Sequence, residues 1–128
     1  ETRDSQMPSF GIDGILTPEQ IDQVANYVMT LSGETADAGK AEAGKQIFAE
    51  NCAACHADDG KGNREFGAPN LTDKLWLYGG TIDDVKAQLH KPSMGVMPGW
   101  TKRLDDAEIK ELAIYVHSLG GGEAPATQ

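Results

Sequence analysis

Apolar residues recur at helical spacing in two widely separated parts of the chain. Ile21, Val24, Ala25, Val28 and Leu31 fall on one face of a helix expected from Thr17 to Leu31. Its start is signalled: Thr17 suits the cap, Pro18 the first helical position, Gln20 completes a capping box, and Leu16 can staple onto Ile21. Gly33 ends it. The stretch SGETADAGKA, Ser32 to Ala41, is small and polar with no apolar period and reads as a linker. A second helix follows from about Glu42 to Asn51, with Ile47 and Phe48 facing inward, and runs into C-A-A-C-H. Beyond a Gly- and charge-rich loop, DDGKGNREFGAPN, short helices are expected at Thr72 to Leu77 and at Thr81 to His90, the latter capped by Thr81 and stopped by Pro92. An irregular stretch with Met94, Met97 and Trp100 precedes a last helix from about Asp106 to Leu119, capped by Asp105 with Glu108 in the box position. No alternating strand pattern occurs, so the expected fold class is all-α.

The first and last helices are a repeat. Leu16, Ile21, Val24, Ala25, Tyr27, Val28, Leu31 and Gly33 map onto Leu104, Ile109, Leu112, Ala113, Tyr115, Val116, Leu119 and Gly121 at a constant offset of 88 residues. Met7-Pro8 maps onto Met97-Pro98 once a two-residue difference in the intervening loop is allowed. Periodicity alone would match any two capped amphipathic helices. The shared Met-Pro, staple leucine, Tyr-Val pair and glycine stop go further.

Length and charge narrow the function. A chain of 128 residues holds one ordinary domain, or a small domain and a piece of another. A net charge of -9 argues against nucleic acid and anionic membrane surfaces as partners. No run approaches the ~18 apolar residues of a membrane span, and no signal-peptide pattern opens the chain. Any anchor or export signal is therefore expected outside it. Fifteen glycines and 6% aromatic residues leave modest material for a core, which something other than side chains could complete.

Cys52, Cys55 and His56 form C-x-x-C-H, the signature of covalent haem attachment. On a turn of helix, two cysteines three apart reach both vinyl groups of one haem edge, and the adjacent histidine turns its imidazole to the iron. A thioredoxin-like pair would be expected after a strand in a βαβ unit, and none is visible. A structural zinc site needs four protein ligands, and no further cysteine exists to supply them.

An iron held by His56 has a sixth position, with His90, Met94, Met97 and His117 as downstream candidates. His117 reads as a polar position on the last helix, and His90 as a residue favoured by its helix C-terminus. Both methionines have a core reading as well. Pro98 selects Met97, because proline restricts the preceding residue to extended conformations and holds its side chain in one direction. A thioether ligand raises the potential and suits electron transfer over oxygen binding.

These residues resemble a class I cytochrome c, from G-K-Q-I-F through C-A-A-C-H and G-A-P-N-L to M-P and the Tyr-containing last helix, over about residues 40 to 121. The resemblance implies that Gly44 and Phe48 pack against Tyr115. It also implies that the Pro69 carbonyl accepts a hydrogen bond from the His56 nitrogen not bound to iron, and that Asn70 and Leu71 continue that loop along the haem. MPSFGIDGILTPEQIDQVANYV followed by a linker and GKQIFAENCAACHADDGKGNREFGAPNLTDKLWLYGG is more closely similar to the di-haem cytochrome c subunit, subunit III, of the cbb-type oxidases. Ala57 stands where many relatives have Gly after the histidine.

The family implies a domain plan: residues 1–33 the end of a first cytochrome module, 34–40 a linker, 41–121 a complete module and 122–128 a tail. It implies one haem c on this chain and two in the full-length parent, with the first C-x-x-C-H expected about three dozen residues before Glu1. Met7 then becomes the axial ligand of that missing haem. The implied function is electron relay from a soluble cytochrome c donor to the oxidase's catalytic and mono-haem subunits, on the periplasmic side of the bacterial inner membrane, with oxygen reduction occurring elsewhere in the complex. Trp76, Tyr78 and Arg103 are of the types that hydrogen-bond haem propionates, although core roles compete for each. Acidic pairs such as Asp58-Asp59 and Asp83-Asp84 read as caps, turns or a face that steers a basic donor. Two rivals remain: a free periplasmic electron carrier, and a haem ligand-binding or peroxidase domain with an open sixth site.

Overall fold

Side chains that capture backbone N–H groups set where the helices begin. The computed structural model describes residues 6–95 and 97–120, and the expected tail at 122–128 lies outside them. Helix α1 spans Pro18–Leu31, with the Thr17 hydroxyl accepting from the Gln20 N–H and the Gln20 side chain accepting from the Thr17 N–H. Helix α2 spans Ala38–Asn51, and a single turn, α3, Ala53–His56, follows directly. Helix α4, Ile82–His90, and helix α5, Asp106–Ser118, each begin on a complete capping box, at Thr81/Asp84 and Asp105/Glu108. Among the described residues there is no strand, only an isolated bridge between Asn63 and Ala68. The fold class is all-α.

Two elements differ from the sequence expectation. The helix expected at Thr72 to Leu77 is a series of bends, because Asn70 Oδ1 accepts from the Thr72 N–H and Asp73 Oδ1 from the Leu75 N–H, both at 2.9 Å. These local bonds take the donors a helix would use. Helix α2 starts at Ala38 rather than Glu42, because Asp37 caps it through the Lys40 N–H and the Asp37 N–H is in turn bound by Asn26 Oδ1 at 2.9 Å.

Residues Glu1–Met94 form one compact unit and Gly95–Gln128 a second. The core of the first is built where α1 packs along α2 and against α4. It gathers Phe10, Leu16, Ile21, Val24, Ala25, Val28 and Met29 with Ile47, Phe48, Cys52, Val85 and Leu89. Helix α2 comes close because position 44 is glycine: a Cβ there would strike the Gln23 carbonyl and stand 2.9 Å from Val24 Cα. One turn on, Phe48 meets Tyr27 with ring centroids 5.3 Å apart and planes tilted by 59°. Gly44 and Phe48 thus pack against Val24 and Tyr27 of α1, where the resemblance implies Tyr115. The short connection from Ser32 to Asp37 favours this pairing of neighbours. In the second unit, α5 buries none of its residues.

Asp22 ties the three packed helices together, accepting from Lys40 of α2 at 2.6 Å and pairing with Lys86 of α4. The bonds to Lys40 and then Lys86 hold the Asp22 carboxyl below the usual carboxylate range. A folded-state pKa below the unfolded one contributes stability above the unfolded value and loses it as pH falls through the folded value. Asp22→Asn should therefore cost about 1 kcal/mol at neutral pH and low salt. In denaturant titrations the gap between the two proteins should close as pH falls below about 4.

Candidate functional site

The end of α2 and the turn of α3 present Cys52, Cys55 and His56 together, because Cys52 caps α3 and the His56 N–H returns to the Cys52 carbonyl at 2.9 Å. Cys52 and His56 are buried, Cys55 is exposed, and both thiols are free. The His56 ring is anchored: Nδ1 lies 3.1 Å from the Pro69 carbonyl oxygen. With the proton on Nδ1 the ring donates to that carbonyl, and Nε2 keeps its lone pair for a metal. Burial lowers the His56 pKa, partly opposed by the Pro69 carbonyl, and so favours the neutral, ligating ring.

The loop that supplies Pro69 braces itself against this turn. The Gly62 N–H donates to the His56 carbonyl at 2.8 Å, the Leu71 N–H to the Gly60 carbonyl at 2.7 Å, and Asn63 and Ala68 exchange both bonds at 3.0 Å. At Gly62, φ is +83° and a Cβ would stand 2.7 Å from the Pro69 carbonyl oxygen, so only glycine lets the loop pass behind the acceptor His56 uses. Ala57, directly after the histidine, takes φ 63° and ψ 159°, a region that glycine alone occupies readily.

The donor set fits covalent haem better than its rivals. Burial and the neighbouring Cys55 push the Cys52 thiol up to about 11. Reactive C-x-x-C pairs need the opposite shift, toward thiolate at neutral pH. Among the described residues no group of three or more His, Cys, Asp and Glu side chains could hold a bare metal ion. After the motif, Phe66, Leu75, Leu77, Tyr78 and Met94 are exposed large apolar side chains. A bound haem would satisfy such surface.

Other sequence candidates fall as follows. Asn70 is exposed, and its Oδ1 also accepts from the Thr72 hydroxyl at 2.8 Å. Trp76 is half-buried on the first unit's core, its ring against Gly80. His90 is exposed at the end of α4, its ring over Gly11 and its carbonyl accepting from the Ile12 N–H at 3.2 Å. Met7 is half-buried against the same core. Met97 and Arg103 belong to the second unit. Met97 is 83% exposed there, and the Arg103 guanidinium lies 5.4 Å from the Trp100 ring centre. Sequence reasoning missed Asn26 and Gly62, and it noted Ala57 only as a departure from the glycine of many relatives. A polar residue on an otherwise apolar helical face was the one available signal for Asn26.

Residues 39–116 match the family described as cytochrome C oxidase, cbb3-type, subunit III, and the chain belongs to that family. It is 57% identical over 123 residues to the Cbb3-type cytochrome c oxidase subunit FixP of Sinorhizobium medicae (strain WSM419), covering 96% of this chain and 42% of the relative. The subunit CcoP of Cereibacter sphaeroides is 53% identical over 123 residues, with the same coverage of 96% and 42%. An Azospirillum CcoP (strain B510) is 52% identical over 122 residues, covering 91% of this chain and 41% of the relative. The chain thus spans about two fifths of the length of the curated relatives it matches. A cytochrome c family implies haem c.

Ala57→Gly should raise stability by about 1 kcal/mol, since relief of about 1–3 kcal/mol of backbone strain outweighs glycine's extra unfolded freedom. Thermal melts of the haem-loaded protein check this as a Tm higher by about 4 °C. Gly62→Ala should act in the opposite direction, lowering stability by about 2 kcal/mol or more and disturbing the His56 Nδ1–H signal in proton NMR.

Proposed function

We propose that this chain is an electron-relay part of the cytochrome c subunit of a cbb3-type oxidase. Cys52 and Cys55 would hold one haem c through thioethers, and His56 and Met97 would ligate its iron. The observation that carries the reading is the His56 ring, buried and anchored on the Pro69 carbonyl directly beside two free cysteines. When bound, the haem supplies a one-electron couple. The protein's own residues would fix and orient it: Cys52 and Cys55 by bonding, and the Pro69 carbonyl by holding the His56 ring. Asn70, Trp76 and Arg103 are proposed haem contacts. The chemistry that reduces oxygen belongs to another subunit on this reading.

The proposed partners are the oxidase's catalytic and mono-haem subunits and a soluble cytochrome c donor. The chain's net charge of -9 favours a basic donor. No helix among the described residues is long and apolar enough to cross a membrane. Attachment to the periplasmic face through an anchor outside this sequence is part of the proposal. Residues 1–33 are proposed as the end of a preceding cytochrome module, 34–40 as its linker, and 41–121 as a second module. Two haems are proposed for the complete subunit.

One observation favours a second assignment of the sixth ligand. Met7, the repeat counterpart of Met97, packs on the core of the unit that contains His56. Met97→Ala and Met7→Ala separate the two. On the main reading the ferric protein loses its far-red methionine band in Met97→Ala and keeps it in Met7→Ala. The reverse pattern transfers the role to Met7. Absence of the band in the unaltered protein, with immediate carbon monoxide binding to the ferrous form, would favour an open-site haem protein.

A further inference from the structure

Helix α4 hands the chain on to the segment that carries Met97. The Lys91 N–H still donates to the Ala87 carbonyl at 2.9 Å, but Lys91 is already extended, at φ −147° and ψ 97°. Pro92 has no N–H and a fixed φ, so the helix cannot resume. Extended chain leaving a helix has no ladder to receive its N–H and C=O groups. At Ser93 one side chain receives both. The Ser93 N–H donates to Gln88 Oε1 at 3.1 Å, and Gln88 Nε2 donates to the Ser93 carbonyl at 2.9 Å.

Asn and Gln are the neutral side chains that carry a donor and an acceptor side by side. Gln88 spends both on one residue, as a neighbouring strand would. Val85 and Leu89 form the buried face of α4, while Gln88 stands outside it, half-buried. The clamp adds nothing to the core; it sets the direction in which the chain leaves α4.

We propose that Gln88 is a positioning residue for Met97, an inference that rests on the assignment of Met97 as the sixth ligand. Both residues of the clamp lie in the first unit, and the coupling runs along the chain. Pro92 and the clamp fix the chain as far as Ser93, four residues before Met97, and Pro98 restricts Met97 from the other side. A segment held so closely gains few conformations when its thioether is released, which favours the ligated state. Without the clamp that freedom extends back to Lys91.

The test is competition by imidazole on the ferric, haem-loaded chain, followed as loss of the far-red methionine band. Imidazole binds only where Met97 has let go, so a looser Met97 reads as tighter imidazole binding. Gln88→Leu should tighten it about fivefold, the low end of the backbone entropy of one freed residue. Gln88→Glu keeps an acceptor for the Ser93 N–H but turns a carboxylate oxygen on the Ser93 carbonyl, and should act in the same direction. In a Met97→Ala background no thioether competes. There Gln88→Leu should leave imidazole affinity, read from the Soret shift, unchanged within about twofold. Equal imidazole affinity in Gln88→Leu and the unaltered chain overturns the proposal, as does an effect that persists with Met97→Ala. If Met97→Ala keeps the far-red band, the ligand assignment itself fails and the proposal falls with it; a lost band with no effect of Gln88→Leu removes the clamp alone.

Discussion

The missing side chain at Gly44 is what the first unit of this protein rests on. Helix backbones usually stand apart by the thickness of their side chains. Here the Gln23 carbonyl and Val24 Cα come up to the α2 backbone, and that closeness puts Phe48 within reach of Tyr27 and buries Val24 completely. Val85 and Leu89 of α4 complete the same cluster. Cys52 belongs to it too, so the attachment motif grows out of the core instead of lying on a loose loop. A rigid starting point is what a ligating side chain needs, since an iron ligand displaced by a fraction of an ångström is a poorer ligand.

From there the order passes outward through backbone bonds. Cys52 caps α3, α3 ends on His56, and the loop from Ala57 to Leu71 folds back so that its own proline carbonyl meets the ring. The loop has almost no apolar core of its own and is held by paired N–H and C=O groups, with Gly62 giving the clearance and Ala57 bearing the strain. Strain of this kind clusters at functional sites, in keeping with the role proposed for His56. The exposed apolar residues that follow complete the logic: a small domain with few aromatics leaves part of its interior to be filled by its prosthetic group.

Much of this was legible in the order of residues. Thr17, Thr81 and Asp105 announce their helices because capping is local chemistry between residues two or three apart. C-A-A-C-H is legible for the same reason, and the apolar period of α1 correctly predicts Ile21, Val24, Ala25 and Val28 as buried. Information carried over longer separations was hidden. The start of α2 depends on Asn26, eleven residues before Asp37, and nothing near Asp37 reveals it. Phe10 lies in a short irregular stretch with no apolar period, yet it is buried in the first unit's core. The bends at 70–77 were misread as helix because the Asx side chains that cap helices also end chains in turns, and sequence alone does not say which. The contact of Gly44 with the Gln23 carbonyl and Val24 Cα of α1 was likewise hidden, since no local pattern announces it.

The repeat shared by α1 and α5 has a consequence for how tandem proteins are assembled. When a helical unit is copied end to end, every internal helix acquires a near-twin, and the oily surfaces that drive folding are the part the copies share most faithfully. Correct assembly then falls to the few hydrophilic positions at which the copies have diverged. In this chain Asp22 and Asn26 tie α1 to its neighbours through Lys40, Lys86 and the Asp37 N–H, at positions where the repeat carries Lys110 and Ile114.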